Sequence, residues 1–129
     1  MRIILTLVIG LLAGLPADAA TLSLVDSKTN GVGGVSGLEA PRHVIVSPDG
    51  AHVYVLSQGL DSTVVVFSRD GGTGVLSFVA SYVEGVAFPV SPTLGAHTPS
   101  PDGSHYYIDT SGRSFRGRIL RFSRDAVSG

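Results

Sequence analysis

The chain has 129 residues, 43% of them hydrophobic and 15% charged, with nine Lys and Arg set against ten Asp and Glu. So even a balance gives no overall field to gather nucleic acid or an anionic membrane, and the apolar fraction is too high for a disordered chain. The absence of cysteine excludes a disulfide framework, thiolate zinc or iron–sulfur sites and a cysteine nucleophile.

The first segment reads as a leader. A lone Arg2, an apolar stretch from Ile3 to Leu15 and the small-residue pattern Ala17-Asp18-Ala19 predict a signal-peptide helix over residues 1–19, cleaved after Ala19. An apolar stretch of that length rises roughly 20 Å as a helix, short of the about 30 Å of a bilayer core. A membrane anchor is therefore the weaker reading, and no later segment is apolar for long enough to span. The expected mature chain, residues 20–129, is secreted or periplasmic.

Downstream, the chain repeats itself. Ser47-Pro48-Asp49-Gly50 returns 53 residues later as Ser100-Pro101-Asp102-Gly103, and His52 and Tyr54 return as His105 and Tyr107. Phe67-Ser68-Arg69-Asp70 returns as Phe122-Ser123-Arg124-Asp125 and Gly74 as Gly129, now 55 residues on, so the second copy carries two extra residues in its middle loop.

Within one period, strands alternate with turns. Arg42–Ser47, rich in β-branched residues, stops at Pro48-Asp49-Gly50, where Pro fixes φ, Asp bonds its own backbone and Gly accepts a positive φ. His52–Ser57, Thr63–Ser68 and Val75–Tyr82 are the next three strands, with turns at 58–62 and 69–74. No segment beyond the leader keeps a 3.6-residue apolar period, so the prediction is an all-β meander. Two repeat units follow, approximately 38–82 and 94–129. Thr21-Leu22-Ser23-Leu24-Val25 matches Val75-Leu76-Ser77-Phe78-Val79, which predicts an isolated outer strand at 21–25. In the second unit His97-Thr98-Pro99 replaces Val44-Ile45-Val46, and Pro in a strand interior removes a ladder hydrogen bond, so the innermost strand there is expected to be damaged or absent.

Val64-Val65-Val66-Phe67 is apolar at every position, and His43-Val44-Ile45-Val46 nearly so, as a sheet covered on both faces requires. Leaving four valine-sized side chains wet would cost roughly 6–12 kcal/mol, comparable with the about 5–15 kcal/mol stability of a whole domain. Each sheet therefore needs a neighbour, and stacking four-stranded meanders about an axis is the propeller solution. Two blades do not surround an axis. The chain is read as a partial propeller, truncated from a longer one. A subunit that builds a ring from several copies and a two-sheet stack without a ring remain as alternatives.

Gly31-Val32-Gly33-Gly34-Val35-Ser36-Gly37-Leu38, Val46-Ser47-Pro48-Asp49-Gly50-Ala51-His52-Val53-Tyr54-Val55, Val66-Phe67-Ser68-Arg69-Asp70 and Thr73-Gly74-Val75-Leu76 resemble bacterial β-propeller repeat proteins of the lactonase-like group. The resemblance implies a seven-bladed parent architecture. It also implies either hydrolysis of sugar lactones or an exported protein without assigned chemistry. The matching residues are turns and strand cores, so the resemblance hands on no catalytic residue.

Candidate chemistry is thin. His52 and His105 follow equivalent Asp-Gly turns and are expected to be polar turn-flanking residues rather than metal ligands, and His43 and His97 add little, so no metal and no cofactor is expected. Gly31–Gly37 lacks the G-x-G-x-x-G spacing and precedes a strand, which excludes a phosphate cradle. Gly34-Val35-Ser36-Gly37-Leu38 misses the last glycine of a nucleophile elbow. Arg113, Arg116, Arg118, Arg121 and Arg124 could hold an anionic polymer, but an exposed, solvated hairpin partly paired with Asp109 and Asp125 is the expected reading. Asp49, Asp61, Asp70, Asp102 and Asp125 sit at turns for backbone reasons. The expected function is an exported binding or structural module with an unknown ligand, associating with itself or with further blades to complete a ring. It would bind no nucleic acid and have no membrane span after signal cleavage. The alternative is a lactonase-type hydrolase.

Overall fold

A computed structural model describes residues 22–89, 94–110 and 117–129, and the predicted leader helix lies outside them. The fold is all-β. Strands β1 (Pro41–Val46), β2 (His52–Gln58), β3 (Ser62–Arg69) and β4 (Leu76–Val83) form one antiparallel sheet in the order β1-β2-β3-β4. Strands β5 (Leu94–Pro99), β6 (His105–Thr110) and β7 (Arg118–Ser123) form a second in the order β5-β6-β7. Each predicted strand of the first unit is found, shifted by a residue or so at its ends.

The innermost strand of the second unit does form. β5 pairs with β6 from Leu94↔Thr110 to Pro99↔Tyr106, with a register shift between Leu94 and His97. Pro99 is tolerated because it is the last residue of an edge strand. Residues 22–25, expected as an isolated outer strand, make no ladder, and Leu22, Leu24 and Val25 are exposed. An outer strand borrows its hydrogen bonds from a third strand, and β3 already gives its outer edge to β4.

Alternation along β3 divides the core. Val64 and Val66 join Tyr54 and Leu56 in a cluster completed from the second sheet by Leu94, Tyr106 and Ile108. Val65 and Phe67 point the other way, into a cluster with Val53, Val55 and Val35, against which Leu38, Leu76 and Phe78 pack. Both faces of β3 are dry, as its unbroken apolar run requires. β1 departs from that pattern: Val44 and Val46 are exposed and only Ile45 packs inward, because an edge strand has neighbours on one side alone.

The stacking is itself repetitive. Val35, before β1, packs on the face of the first sheet turned away from the second, and Phe88, before β5, packs on the equivalent face of the second sheet, which is turned toward the first, where its ring meets Phe122 at 5.9 Å. The far face of the second sheet is more polar. Exposed Asp109 and Arg121 stand at the positions where the first sheet has buried Leu56 and Val66.

A candidate functional site between the two sheets

The two Ser-Pro-Asp-Gly turns are built alike. Gly50 (φ 72°) and Gly103 (φ 71°) take the left-handed conformation that only glycine enters freely, and each amide returns to the serine carbonyl, Gly50 to Ser47 at 2.8 Å and Gly103 to Ser100 at 2.9 Å. Each serine hydroxyl donates to its aspartate and accepts from the histidine amide, His52 at 2.9 Å and His105 at 3.0 Å. The aspartates also accept from Ala51 N and Ser104 N, both at 3.1 Å.

The turns differ in what completes them. Arg124, just beyond β7, donates from Nη1 to the Gly103 carbonyl at 3.1 Å and from Nη2 across the gap to Asp49, at 3.0 Å to Oδ1 and 2.8 Å to Oδ2. The same Nη2 lies 2.9 Å from His52 Nδ1. A guanidinium only donates, so Nδ1 is the acceptor and the imidazole proton sits on Nε2. The Arg124 side chain is 3% exposed. In the second turn Ser104 Oγ takes that place, 2.9 Å from Asp102 Oδ2 and 2.7 Å from His105 Nδ1.

Electrostatics follow from these contacts. The Ser47 hydroxyl, with Arg124 next, holds the Asp49 carboxyl well below the usual carboxylate range. The Ser100 hydroxyl and then Ser104 bring Asp102 down to about 2. Burial, with Arg124 second, pushes His52 below its ordinary value. Burial also works against the charge of Arg124, but Asp49 and Tyr54 together outweigh it and the net shift is upward. Among the described residues the buried Tyr54 hydroxyl and Arg124 Nε make no well-formed hydrogen bond, although the two side chains act on each other electrostatically.

At the inner edge, β1 and β5 bring His43 and His97 together, with ring centroids 5.5 Å apart. His97 Nδ1 is hydrogen bonded to the Tyr106 hydroxyl, and Tyr106 stacks on Tyr54 at 4.6 Å. Burial, and then the neighbouring His43, lower His97, while burial raises Tyr106. No group of three or more His, Cys, Asp or Glu able to hold a metal occurs among the described residues.

Several expected roles change. His52 is a buried partner of Arg124 rather than a polar turn-flanking residue. Arg124 leaves the expected solvated hairpin to pair with Asp49 of the other sheet, while Asp125 is used by the amides of Val127 and Ser128. Arg118 and Arg121 are exposed, and Arg113 and Arg116 lie outside the described residues. Asp70 closes its own turn through Gly72 and Thr73. Gly31–Gly37 is a connecting loop, closed by Gly31 N donating to Val35 O at 2.9 Å. The His43–His97 pair escaped the sequence reading because the two residues are not equivalent in the repeat and meet only across two sheets.

Between the sheets runs a groove of about 270 Å³, lined by apolar and aromatic side chains such as Val64, Val66 and Phe122 and by the polar groups of Arg121, Ser123 and Arg124.

Comparison with known proteins gives one match to a family model, described as the seven-bladed β-propeller lactonase, over residues 19–91, more than half of the chain. No curated protein matches. Two solved structures align over 69% of the chain with a TM-score of 0.51 each, both provisionally named 6-phosphogluconolactonases. One, from Bacteroides fragilis, is 24% identical. The other, from Bacteroides uniformis, is 20% identical. At such identities the likeness shows the fold alone, and this chain spans only 22% and 23% of their lengths.

Proposed function

This chain belongs to the seven-bladed β-propeller lactonase family, and on that premise we propose that it acts as an exported blade-pair module that binds or scaffolds rather than catalyses. The observation that carries this reading is where its charged groups are spent. Arg124, which borders the groove, engages Asp49 and His52 together, so the best-organised polar cluster in the described residues joins one blade to the next. Groups recruited for cohesion in this way offer no free base or acid to a substrate.

The second reading, hydrolysis of a sugar lactone, is favoured by the His43–His97 pair at the inner edge, since propeller loops and inner strands converge on a channel. An imidazole held neutral could activate water. Opening a lactone also needs donors for the oxyanion and an acid for the leaving alkoxide. Around the pair, Tyr106 is the hydrogen-bonded neighbour, and its proton is held more tightly than in free tyrosine.

Hydrolysis of 6-phosphogluconolactone followed in a pH-stat separates the two. The module reading expects the purified chain to leave the spontaneous rate unchanged. Turnover above that rate, abolished by His97→Ala in a variant that still folds, would replace it with the lactonase reading.

A further inference from the structure

We infer that His43 and His97 form a binding site for a divalent transition metal of the zinc, nickel or copper class, held between the innermost strands of the two sheets. The inference goes beyond the module reading and does not depend on it.

Register builds the site. In β1 His43 faces Leu56 and Ile45 faces Tyr54, while in β5 His97 faces Ile108 and Pro99 faces Tyr106. Residues directly opposite one another share a face of the sheet. Leu56, Tyr54, Ile108 and Tyr106 all belong to the cluster between the sheets, so His43 is turned toward the second sheet and His97 toward the first. Both walls of the site lie within the described residues, and neither is an outer strand.

Each histidine also follows an irregularity of its strand. The pairing register shifts between Pro41 and His43 in β1, and between Leu94 and His97 in β5. Bulges of this kind re-aim the side chains beside them and recur next to functional sites. The repeat aligns His97 with Val44 and His43 with Ala96, so neither histidine is a copied feature of the blade. Their meeting is particular to this pair of sheets.

The spacing fits a single ion. Two imidazoles on one tetrahedral zinc, each nitrogen about 2.0–2.1 Å from the metal, keep their ring centroids roughly 5 Å apart. His43 and His97 stand at 5.5 Å with their ring planes inclined at 71°. Because χ2 of an imidazole is a broad torsion, a small rotation of the rings brings a nitrogen of each onto a common point with the backbone in place. His43 is exposed on its edge strand, which gives an ion a way in.

A supporting oxygen is present as well. His97 Nδ1 is hydrogen bonded to the Tyr106 hydroxyl, which leaves Nε2 for the ion. Metal-bound histidines use their second nitrogen to donate to an oxygen that fixes the tautomer and the orientation of the ring. Tyr106 offers that oxygen, and its own ring is held by stacking on Tyr54 at 4.6 Å. Imidazole selects zinc, nickel or copper over magnesium and calcium, which require oxygen ligands. Two protein ligands leave the remaining positions of the ion to water.

Calorimetric titration of the untagged full chain with zinc chloride tests the site. We expect one zinc per chain, at least tenfold weaker binding in His43→Ala and in His97→Ala, unchanged binding in His105→Ala, and no heat from calcium or magnesium. His43 is an exposed edge residue, so His43→Ala removes a ligand without opening the core and decides the matter even if His97→Ala fails to fold. Tyr106→Phe keeps the aromatic ring but loses the oxygen, and should weaken zinc about tenfold at unchanged stoichiometry. Full affinity in that variant would overturn the positioning role of Tyr106. No uptake of zinc, uptake that survives both histidine substitutions, or one zinc shared by two chains would overturn the site. No lactone is present in the titration, so its failure is distinct from a failure of the module reading.

Discussion

Arg124 Nη2 lies 2.8 Å from Asp49 Oδ2 although 75 residues separate the two in sequence. The pair spans the sheets: Asp49 sits in the β1–β2 turn of the first and Arg124 just beyond β7 of the second. Its twin in the first repeat, Arg69, donates to its own turn at Gly50 O, 3.2 Å away, as Arg124 does to Gly103 O. One residue type in one motif thus fastens a turn within a blade and, in Arg124, reaches the preceding blade as well.

That difference predicts unequal mutational costs. Arg124→Ala strips a side chain that is 3% exposed and leaves Asp49 and His52 without their shared donor, a loss of about 2 kcal/mol. Arg69→Ala breaks the turn contact alone and should cost less than about 1 kcal/mol. Urea unfolding of the two variants checks the ranking, and equal midpoints would mean that the bond between the sheets adds nothing.

The paired glycines offer a second comparison. Gly50→Ala and Gly103→Ala each force an L-residue to positive φ, at roughly 1–2 kcal/mol. A methyl group at Gly50 would meet Arg69 Nη1 at 3.7 Å, an ordinary contact, whereas at Gly103 it would meet Arg124 Nη1 at 3.2 Å and press on the link between the sheets. Gly103→Ala should therefore be the more harmful of the two. In a double-mutant cycle it should be less than additive with Arg124→Ala, because the second change removes what the first one crowds.

Acid should loosen the molecule in two stages. His52 and His97 are both held below their ordinary values, chiefly by burial, so the unfolded chain binds the proton more readily than the folded one. Their contribution is fully present above the unfolded histidine value of about 6.5 and is lost as the pH falls through the lowered folded values. Asp49 and Asp102, also lowered, give stability that is present above about 3.9 and lost only in stronger acid. The melting temperature should accordingly begin to fall below about pH 6.5. The double variant His52→Asn and His97→Asn should be flat from pH 7 to 5 and keep the acid limb below pH 4. A wild-type profile already flat between pH 7 and 5 would contradict the burial of the two imidazoles.

Where the code is local, the sequence was legible. Ser-Pro-Asp-Gly determined both turns, because proline, aspartate and glycine each act on their own backbone, and an unbroken apolar run at Val64–Phe67 determined that a strand would be covered on both faces. The same reasoning misjudged β5, since a proline in an apparent strand interior proved to be at the end of an edge. It also placed Arg124 in solvent and treated His43 and His97 as unrelated. Those residues carry no mark of their partners in their neighbours along the chain. Which arginine crosses to which aspartate and which histidines meet depend on how two sheets stack, and that is decided by long-range packing of side chains that the repeat makes similar but the tertiary structure makes unequal.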